Sequence, residues 1–160
     1  AGQRAGHRRR LLALRVLAHH PGLRSDPTAI WDYAWAEVAD IEIGRRVSVA
    51  AHAEIIVYRH VRHSRIEGKL VLHDGAVIST GCNLRAAGGR IEIGRASAIG
   101  QHTVVVAANH TTGTARPHVM TAWDETRTGV ILGDNVWVGA NCTLLPGTRI
   151  GDSAVIAAGS

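Results

Sequence analysis

Residues 132–160 read Leu132-Gly-Asp-Asn-Val-Trp, Val138-Gly-Ala-Asn-Cys-Thr, Leu144-Leu-Pro-Gly-Thr-Arg, Ile150-Gly-Asp-Ser-Ala-Val and Ile156-Ala-Ala-Gly-Ser, and each of these five units opens with a branched aliphatic residue. Helices repeat every 3.6 residues and strands every two, so a six-residue period indicates a repeat architecture. The frame returns upstream at Ile43, Val49, Ile55, Ile66, Leu72, Ile78, Leu84, Ile93, Ile99 and Val105. We therefore predict one repeat domain over residues 41–160.

The frame breaks once, after Val105-Val-Ala-Ala-Asn-His110, where an excursion of about residues 111–129 precedes the next unit. Long excursions from a regular scaffold are usually functional. His110 and Trp137 each occupy the sixth position of a unit, which directs both side chains away from the core. Asp124 and Glu125 in the excursion could orient His110 or bind an acceptor, although solvated loop charges are commoner.

Three stretches carry a family resemblance: Ile93-Gly94, Ala108-Asn109-His110 and residues 130–160. They resemble the sugar O-acetyltransferase branch of the hexapeptide-repeat acyltransferases, which includes the maltose, galactoside and exopolysaccharide acetyltransferases. The resemblance covers roughly residues 41–160. It implies an all-β fold, a left-handed parallel β-helix in which three units make one coil of a triangular prism and the first and fifth positions point inward.

The resemblance also implies an activity: acetyl transfer from acetyl-CoA, as co-substrate, to a saccharide hydroxyl in envelope or exopolysaccharide assembly. His110 matches the general base of these enzymes, a role suited to imidazole near neutral pH. The Ala140 amide, next to Gly139, would donate to the oxyanion. Trp137 would wall the acyl and pantetheine channel, and Ala158 would line the path of the pantetheine arm.

Acceptor binding is less clearly marked in the sequence. Asn109 is a candidate to orient the acceptor. Galactoside-type relatives carry an acceptor-binding asparagine thirty positions before the catalytic histidine, whereas the same count from His110 reaches Thr80, with Asn83 nearby but out of register. The resemblance further implies a homotrimer with active sites between subunits. Relatives continue beyond the position of Ser160, so the carboxyl-terminal cap is expected to be missing.

The inward fifth positions of this fold take small residues, and both cysteines share that phase. We therefore predict buried packing for them rather than nucleophilic or disulfide chemistry. Two cysteines without a disulfide framework favour a reducing, cytoplasmic compartment. Glycines follow the leading aliphatic residue in several units, where they are predicted to allow tight corners. The fifth positions are Val47, Ala53, Ala76, Cys82, Ser97, Thr103, Val136, Cys142, Thr148 and Ala154, and the glycines are Gly44, Gly94, Gly100, Gly133, Gly139 and Gly151.

Residues 1–40 lie outside the repeat and are predicted to form a basic helix and a capping segment. The helix covers about residues 8–20 and stops at Pro21-Gly22, and its apolar run, interrupted by Arg15, is too short to span a membrane. A cap over the first coil is the favoured role, with a weak membrane-surface contact as the alternative. Trp31, Tyr33 and Trp35 are predicted to pack on the outside of the prism.

The net charge of +5 and the pI near 10.2 raise the possibility of nucleic-acid binding. No basic region interleaved with aromatic residues supports it, so no nucleic acid is expected. Scattered basic residues fit an anionic small ligand or a lipid-linked substrate equally well.

Three other functions stay open. The first is N-acetylation of an amino-sugar nucleotide. The second is a γ-carbonic-anhydrase-like activity, since those enzymes share the prism and bind zinc through three histidines, two of them five positions apart. No two of the ten histidines here are five apart, so no metal is expected. The third is a non-catalytic β-helix scaffold.

Overall fold

Short parallel strands lie in three sheets, which form the faces of a triangular prism. The computed structural model describes residues 2–113 and 115–160, with side chains from residue 6 onward. The elements are α1 (Gly2–His19), β1 (Leu23–Ser25), β2 (Ile30–Tyr33), a 3-10 helix (Trp35–Asp40), β3 (Ile41–Ile43), β4 (Val47–Val49), β5 (Glu54–Tyr58), β6 (Lys69–Leu72), β7 (Val77–Ile78), β8 (Asn83–Ala87), β9 (Arg90–Ile93), β10 (Ala98–Ile99), β11 (Val104–Val106), a second 3-10 helix (His118–Met120), β12 (Val130–Leu132), β13 (Trp137–Val138), β14 (Thr143–Leu144), β15 (Arg149–Ile150) and β16 (Val155–Ile156).

Every third strand pairs with the next in the same sheet. Face 1 has the order β1-β4-β7-β10-β13-β16, face 2 has β2-β5-β8-β11-β14, and face 3 has β3-β6-β9-β12-β15. Three successive strands thus make one coil, and the fold is a left-handed parallel β-helix, as predicted. Among the described residues, no helix is both long enough and apolar enough to cross a bilayer.

Stacked aliphatic columns form the core. On face 2, Ile55 pairs with Leu84, Leu84 with Val105, and Val105 with Leu144, and all four are buried. Each fully buried side chain of this size contributes about 1.5–3 kcal/mol of hydrophobic stabilisation. The register therefore turns a six-residue sequence period into a continuous core along the prism axis.

The fifth positions also face inward, as predicted, and are buried in all but the last coil. Cys82 and Cys142 are free and buried, and burial raises the pKa of the Cys82 thiol. Ser97 and Thr103 donate to the carbonyls of Gly133 and Gly139 at 2.8 and 3.0 Å. These bonds satisfy the buried hydroxyl groups, which would otherwise be costly in a core.

Glycine is required at the second position of several units for a different reason from the predicted one. A Cβ on Gly94 would lie 2.0 Å from the Gly133 carbonyl oxygen, so the next coil leaves no room for a side chain. The left-handed backbone conformation occurs instead at the fourth position, where Asn135 and Asn141 have φ of 57° and 56°. Asparagine tolerates that region better than most residues, which suits it to the corner.

The first coil begins before residue 41, because β1 and β2 pair with β4 and β5. The prediction that Trp31 and Tyr33 lie outside the prism is wrong, since both are fully buried. Trp31 continues the column that starts with Ile55, and the Tyr33 hydroxyl donates to the Leu12 carbonyl at 2.9 Å. The end coil has room for rings because α1, rather than another coil, packs on it. Trp35 is half exposed, as expected for an outer position.

The structure contains a second excursion that the sequence frame missed. The six-residue frame predicts an inward position for Ile66, but this residue is exposed in a loop over residues 59–68, between β5 and β6. Leu70 and Leu72 fill the corresponding inward positions on face 3. The six-residue spacing of Ile66 and Leu72 is therefore coincidental, because the chain leaves the prism between them.

Candidate active site

His110 lies at the corner between faces 2 and 3, just after β11, where the excursion leaves the prism. The two ends of the excursion pair in antiparallel fashion through a bridge between His110 and Trp123. The Thr111 amide donates to the Ala122 carbonyl at 3.0 Å, and the Asp124 amide donates to the Asn109 carbonyl at 2.8 Å. The backbone on both sides of His110 is therefore anchored.

The Trp123 indole ring packs edge-on against the His110 imidazole, with ring centroids 5.6 Å apart and an interplanar angle of 70°. Gly88 makes this position possible, because a Cβ there would lie 2.3 Å from Cε3 of Trp123. Gly88 also has φ of 64°, which glycine adopts without strain. Glycine is therefore required at position 88 both for the space that Trp123 occupies and for the positive φ.

The two excursions bind each other beside this ring pair. The Trp123 amide donates to the His63 carbonyl at 2.8 Å, and Glu125 accepts from the backbone amide of Arg65 at 2.6 Å and from its guanidinium at 2.9 Å. The Arg65 amide, followed by its side chain, lowers the pKa of Glu125. Asp124 instead accepts from Thr126 within its own loop. Neither carboxylate contacts His110, so both position the loops.

A cavity of about 410 Å³ opens beside His110 on the outer side of face 2. Ala87 and Ala108 form its floor, because their small side chains leave the sheet surface low. Its rim includes Tyr58, Arg85 and Trp123. The six-residue pattern does not single out these three residues. Tyr58 and Arg85 share an outward register on β5 and β8, which aligning those strands would reveal, whereas Trp123 lies in the excursion.

Two buried ring nitrogens in the cavity wall, Nδ1 of His110 and Nε1 of Trp123, have no hydrogen-bond partner within the described part of the chain. Since Nδ1 is buried, Nε2 is the imidazole nitrogen that can meet a ligand. At the opposite side, the Tyr58 hydroxyl donates to Asp32 at 2.8 Å, and Arg8 lies 3.3 Å from the same carboxylate oxygen. Burial, followed by the bond to Asp32, raises the pKa of Tyr58.

The predicted CoA-binding residues cluster elsewhere on the prism. Trp137 is 60% exposed on face 1, and Gly139 and Ala140 follow it at the corner between faces 1 and 2. Ala158 lies in the next coil at the same corner, where the Gly159 amide donates to the Ala140 carbonyl at 2.9 Å. The structure therefore brings these four residues together, but at a different corner from His110.

Within the described part of the chain, the backbone amide at the third position of a unit has a hydrogen-bond acceptor at one corner of the prism and lacks one at the corner of Ala140. Between faces 3 and 1, the amides of Arg45, Arg95 and Asp134 each donate to an aspartate of the next coil, at 2.6–2.8 Å. At the corner of Ala140, the next coil offers Ala158 instead, and the Ala140 amide has no acceptor among the described residues. No described residue therefore competes with a ligand for that amide.

Thr80 and Asn83 do not lie beside His110 within one chain. The Thr80 carbonyl accepts from the His102 amide at the corner between faces 1 and 2. Asn83, at the start of β8, donates to the Glu54 carboxylate. It pairs with Val104, which precedes His110 by six residues, or about 20 Å of extended chain. Acceptor binding by these two residues stays a prediction.

In the described ranges, residues 2–113 and 115–160, no three His, Cys, Asp or Glu side chains are grouped so that they could hold a metal ion.

Residues 129–160 match the family model described as bacterial transferase hexapeptide (six repeats). These residues carry the hexapeptide repeat that the model describes. YvoF of Bacillus subtilis, named as an acetyltransferase, is 38% identical over 72 residues, which is 44% of this chain and 36% of YvoF. A Saccharomyces cerevisiae protein, likewise named as an acetyltransferase, is 55% identical over 31 residues, or 19% of this chain and 16% of that protein. The matched part of the chain thus spans 36% of YvoF and 16% of the yeast protein.

One solved structure shares the fold over most of the chain. It is AntD, an N-acyltransferase from Bacillus cereus, in complex with dTDP-4-amino-4,6-dideoxyglucose and coenzyme A. The TM-score is 0.65 at 21% identity, over 86% of this hexapeptide-repeat chain and 68% of AntD.

Proposed function

We propose that this hexapeptide-repeat protein transfers an acetyl group from acetyl-CoA to a hydroxyl of a saccharide. The observation that carries the proposal is the cavity that His110 lines: Nδ1 of its imidazole is buried, which leaves Nε2 as the nitrogen to meet an acceptor. The volume of about 410 Å³ falls in the usual range of small-molecule sites. The acetyltransferase names of the sequence relatives agree with this chemistry.

In the proposed reaction, Nε2 of His110 takes the proton of the acceptor hydroxyl as its oxygen attacks the thioester carbonyl. The tetrahedral oxyanion accepts a hydrogen bond from the Ala140 amide. Collapse breaks the carbon–sulfur bond, and the departing CoA sulfur takes the proton back from the imidazolium. Asn109, whose carbonyl anchors the excursion, lies next to the base and helps to orient the acceptor.

His110 and Ala140 occupy different corners, so the proposed site combines two copies of the chain. Face 1 carries an exposed apolar stripe in one register row, with Val77 37%, Trp137 60% and Val155 66% exposed. Such a stripe favours burial against another subunit. A cyclic trimer would place the corner of Ala140 and Trp137 in one copy against the corner of His110 in the next.

Transfer to an amino group is the second candidate, because AntD, with the same fold, is an N-acyltransferase crystallised with an amino-sugar nucleotide. One experiment separates the two. The protein is incubated with acetyl-CoA and a panel of sugars, nucleotide sugars and amino sugars, thiol release is followed, and the product is treated with mild base. Loss of the acetyl group indicates an ester and supports O-transfer. A base-resistant product from the preferred acceptor would establish N-transfer, and no thiol release with any acceptor would contradict both.

A further inference from the structure

Arg85, an exposed residue, lines the cavity beside His110, and no carboxylate among the described residues pairs with its guanidinium group. Arg85 lies on the outer side of β8, and its side chain forms no ion pair or hydrogen bond with another residue in the described part of the chain. Its register neighbours are Ile56 on β5 and Val106 on β11, both apolar. The cross-strand neighbours of Arg85 therefore offer it no counter-charge.

Face 3 shows the ordinary arrangement for comparison. There Lys69 pairs with Glu42 on the adjacent strand, and Arg90 lies 2.8 Å from Glu92. These two basic side chains therefore have carboxylates at neighbouring positions of the sheet. Arg85 differs from them because the positions that would carry a carboxylate hold isoleucine and valine.

The one carboxylate on the cavity rim is already occupied. Asp32 accepts from the Tyr58 hydroxyl at 2.8 Å and faces Arg8 at 3.3 Å. Its negative charge is therefore balanced at the far side of the cavity. Asp32 and Arg85 are the charged residues of the cavity lining, and Arg8, outside the lining, balances Asp32, which leaves the charge of Arg85 without a partner among the residues that the structure describes.

Arg85 and His110 line one cavity, whose volume of about 410 Å³ can hold a small molecule. Ala87 follows Arg85 by two residues on the same face, and Ala108 precedes His110 by two, so small side chains separate the two functional groups. Trp123 forms a wall over this floor, and an aromatic wall is a good surface for the apolar face of a sugar. A ligand held by Arg85 at one end would reach Nε2 of His110 at the other.

We propose that Arg85 binds an anionic group on the acceptor, a carboxylate or a phosphate, and so presents an acceptor hydroxyl to His110. This proposal rests on the proposed acetyl transfer and names its substrate class as acidic saccharides. A guanidinium matches both anions through two parallel hydrogen bonds, and such charge-assisted pairs are stronger than neutral ones. The planar guanidinium also fixes the orientation of the bound anion, whereas a solvated point charge does not.

Binding is tested first and without acetyl-CoA, so that the result does not depend on turnover. D-Glucuronate, D-glucose 1-phosphate and D-glucose are titrated into the full chain and followed by ligand-observed NMR. At least one of the two anions is expected to bind about ten-fold more tightly than glucose, and which one does so distinguishes carboxylate from phosphate. Equal binding of all three would overturn the proposal.

Arg85→Gln and the matched control Arg46→Gln remove the same charge, and Arg46 is exposed at a corner between faces 3 and 1. Arg85→Gln should abolish the preference for the anion, and Arg46→Gln should keep it. Arg85→Lys should retain part of it, since the charge remains but the fork is lost. An unchanged preference in Arg85→Gln would refute the role of Arg85. If wild-type protein binds the anion through Arg85 but releases no thiol, the proposed acetyl transfer is wrong and the proposed anion-binding site is supported.

Discussion

The Trp123 amide donates to the His63 carbonyl while its indole ring lies against His110, so a single residue joins the second excursion to the candidate base. The contact spans two loops that both leave the prism at the corner between faces 2 and 3. One wall of the cavity therefore depends on how the loops pack, whereas its floor belongs to the rigid sheet. Changes in the loops should affect the acceptor more than acetyl-CoA.

His110→Asn should lower turnover by about 10²–10⁴-fold, because the acceptor hydroxyl loses its general base, while the affinity for acetyl-CoA changes little. Turnover is measured by thiol release, and affinity by calorimetry with CoA. The control is His52→Asn, since His52 is exposed at a corner with φ of 57°, which asparagine accepts. If His110→Asn turns over at the wild-type rate, His110 is not the general base.

Trp123→Phe should keep most of the acceptor kcat/KM, because the indole Nε1 has no hydrogen-bond partner in the described chain and a ring remains beside His110. Trp123→Ala removes the wall and should lower acceptor kcat/KM by about ten-fold or more while leaving the KM for acetyl-CoA nearly unchanged. Steady-state kinetics with each substrate varied in turn provide the measurement. Equal losses of acceptor kcat/KM in both variants would show that Trp123 does not act as an aromatic wall of the cavity.

Glu125→Gln should destabilise the protein at neutral pH and lose this effect in acid. The Arg65 amide lowers the folded-state pKa of Glu125 below the unfolded value. Its contribution is therefore present above the unfolded pKa of about 4.3 and is lost as pH falls through the lower folded pKa. Melting temperatures of both proteins from pH 7 to pH 3 test this. A difference that stays constant across the range would show that the charge is not responsible.

Gly94→Ala should destabilise the fold by about 1–3 kcal/mol or more, because the new methyl group would overlap the Gly133 carbonyl of the next coil. Gly151→Ala is the matched control: it has the same position in its unit, but nothing lies within 4 Å of its Cβ. Urea unfolding of both variants measures the difference. Similar losses would mean that glycine is required for the corner conformation itself.

Val155→Glu should weaken self-association, since Val155 is 66% exposed on the apolar stripe with Trp137. A charge buried at a subunit contact is costly. Light scattering is expected to give a trimer for the wild type and smaller species for the variant. Leu11→Glu, on exposed α1, is the control and should leave the mass unchanged. A stable and fully active wild-type monomer would contradict the shared site.

The inward columns could be predicted from the sequence because each coil carries its own local signal. Leu84, Val105 and Leu144 are identified by spacing alone, and the structure buries all three. Cys82 and Cys142 share a phase with small residues and are buried with them. The spacing is misleading at Ile66, because a loop can keep it by chance. The prediction for Trp31 is wrong because the end coil meets a helix instead of another coil.

The sequence by itself determined the coil frame, the aliphatic core and the place where the chain leaves the prism at His110, since a six-residue period assigns inward and outward positions locally. Only the tertiary structure decided what surrounds His110. Glu125 meets Ser64 across 61 residues of chain, and Arg85 reaches the cavity from a different coil. Contacts of this kind depend on stacking and loop packing, which no local spacing records.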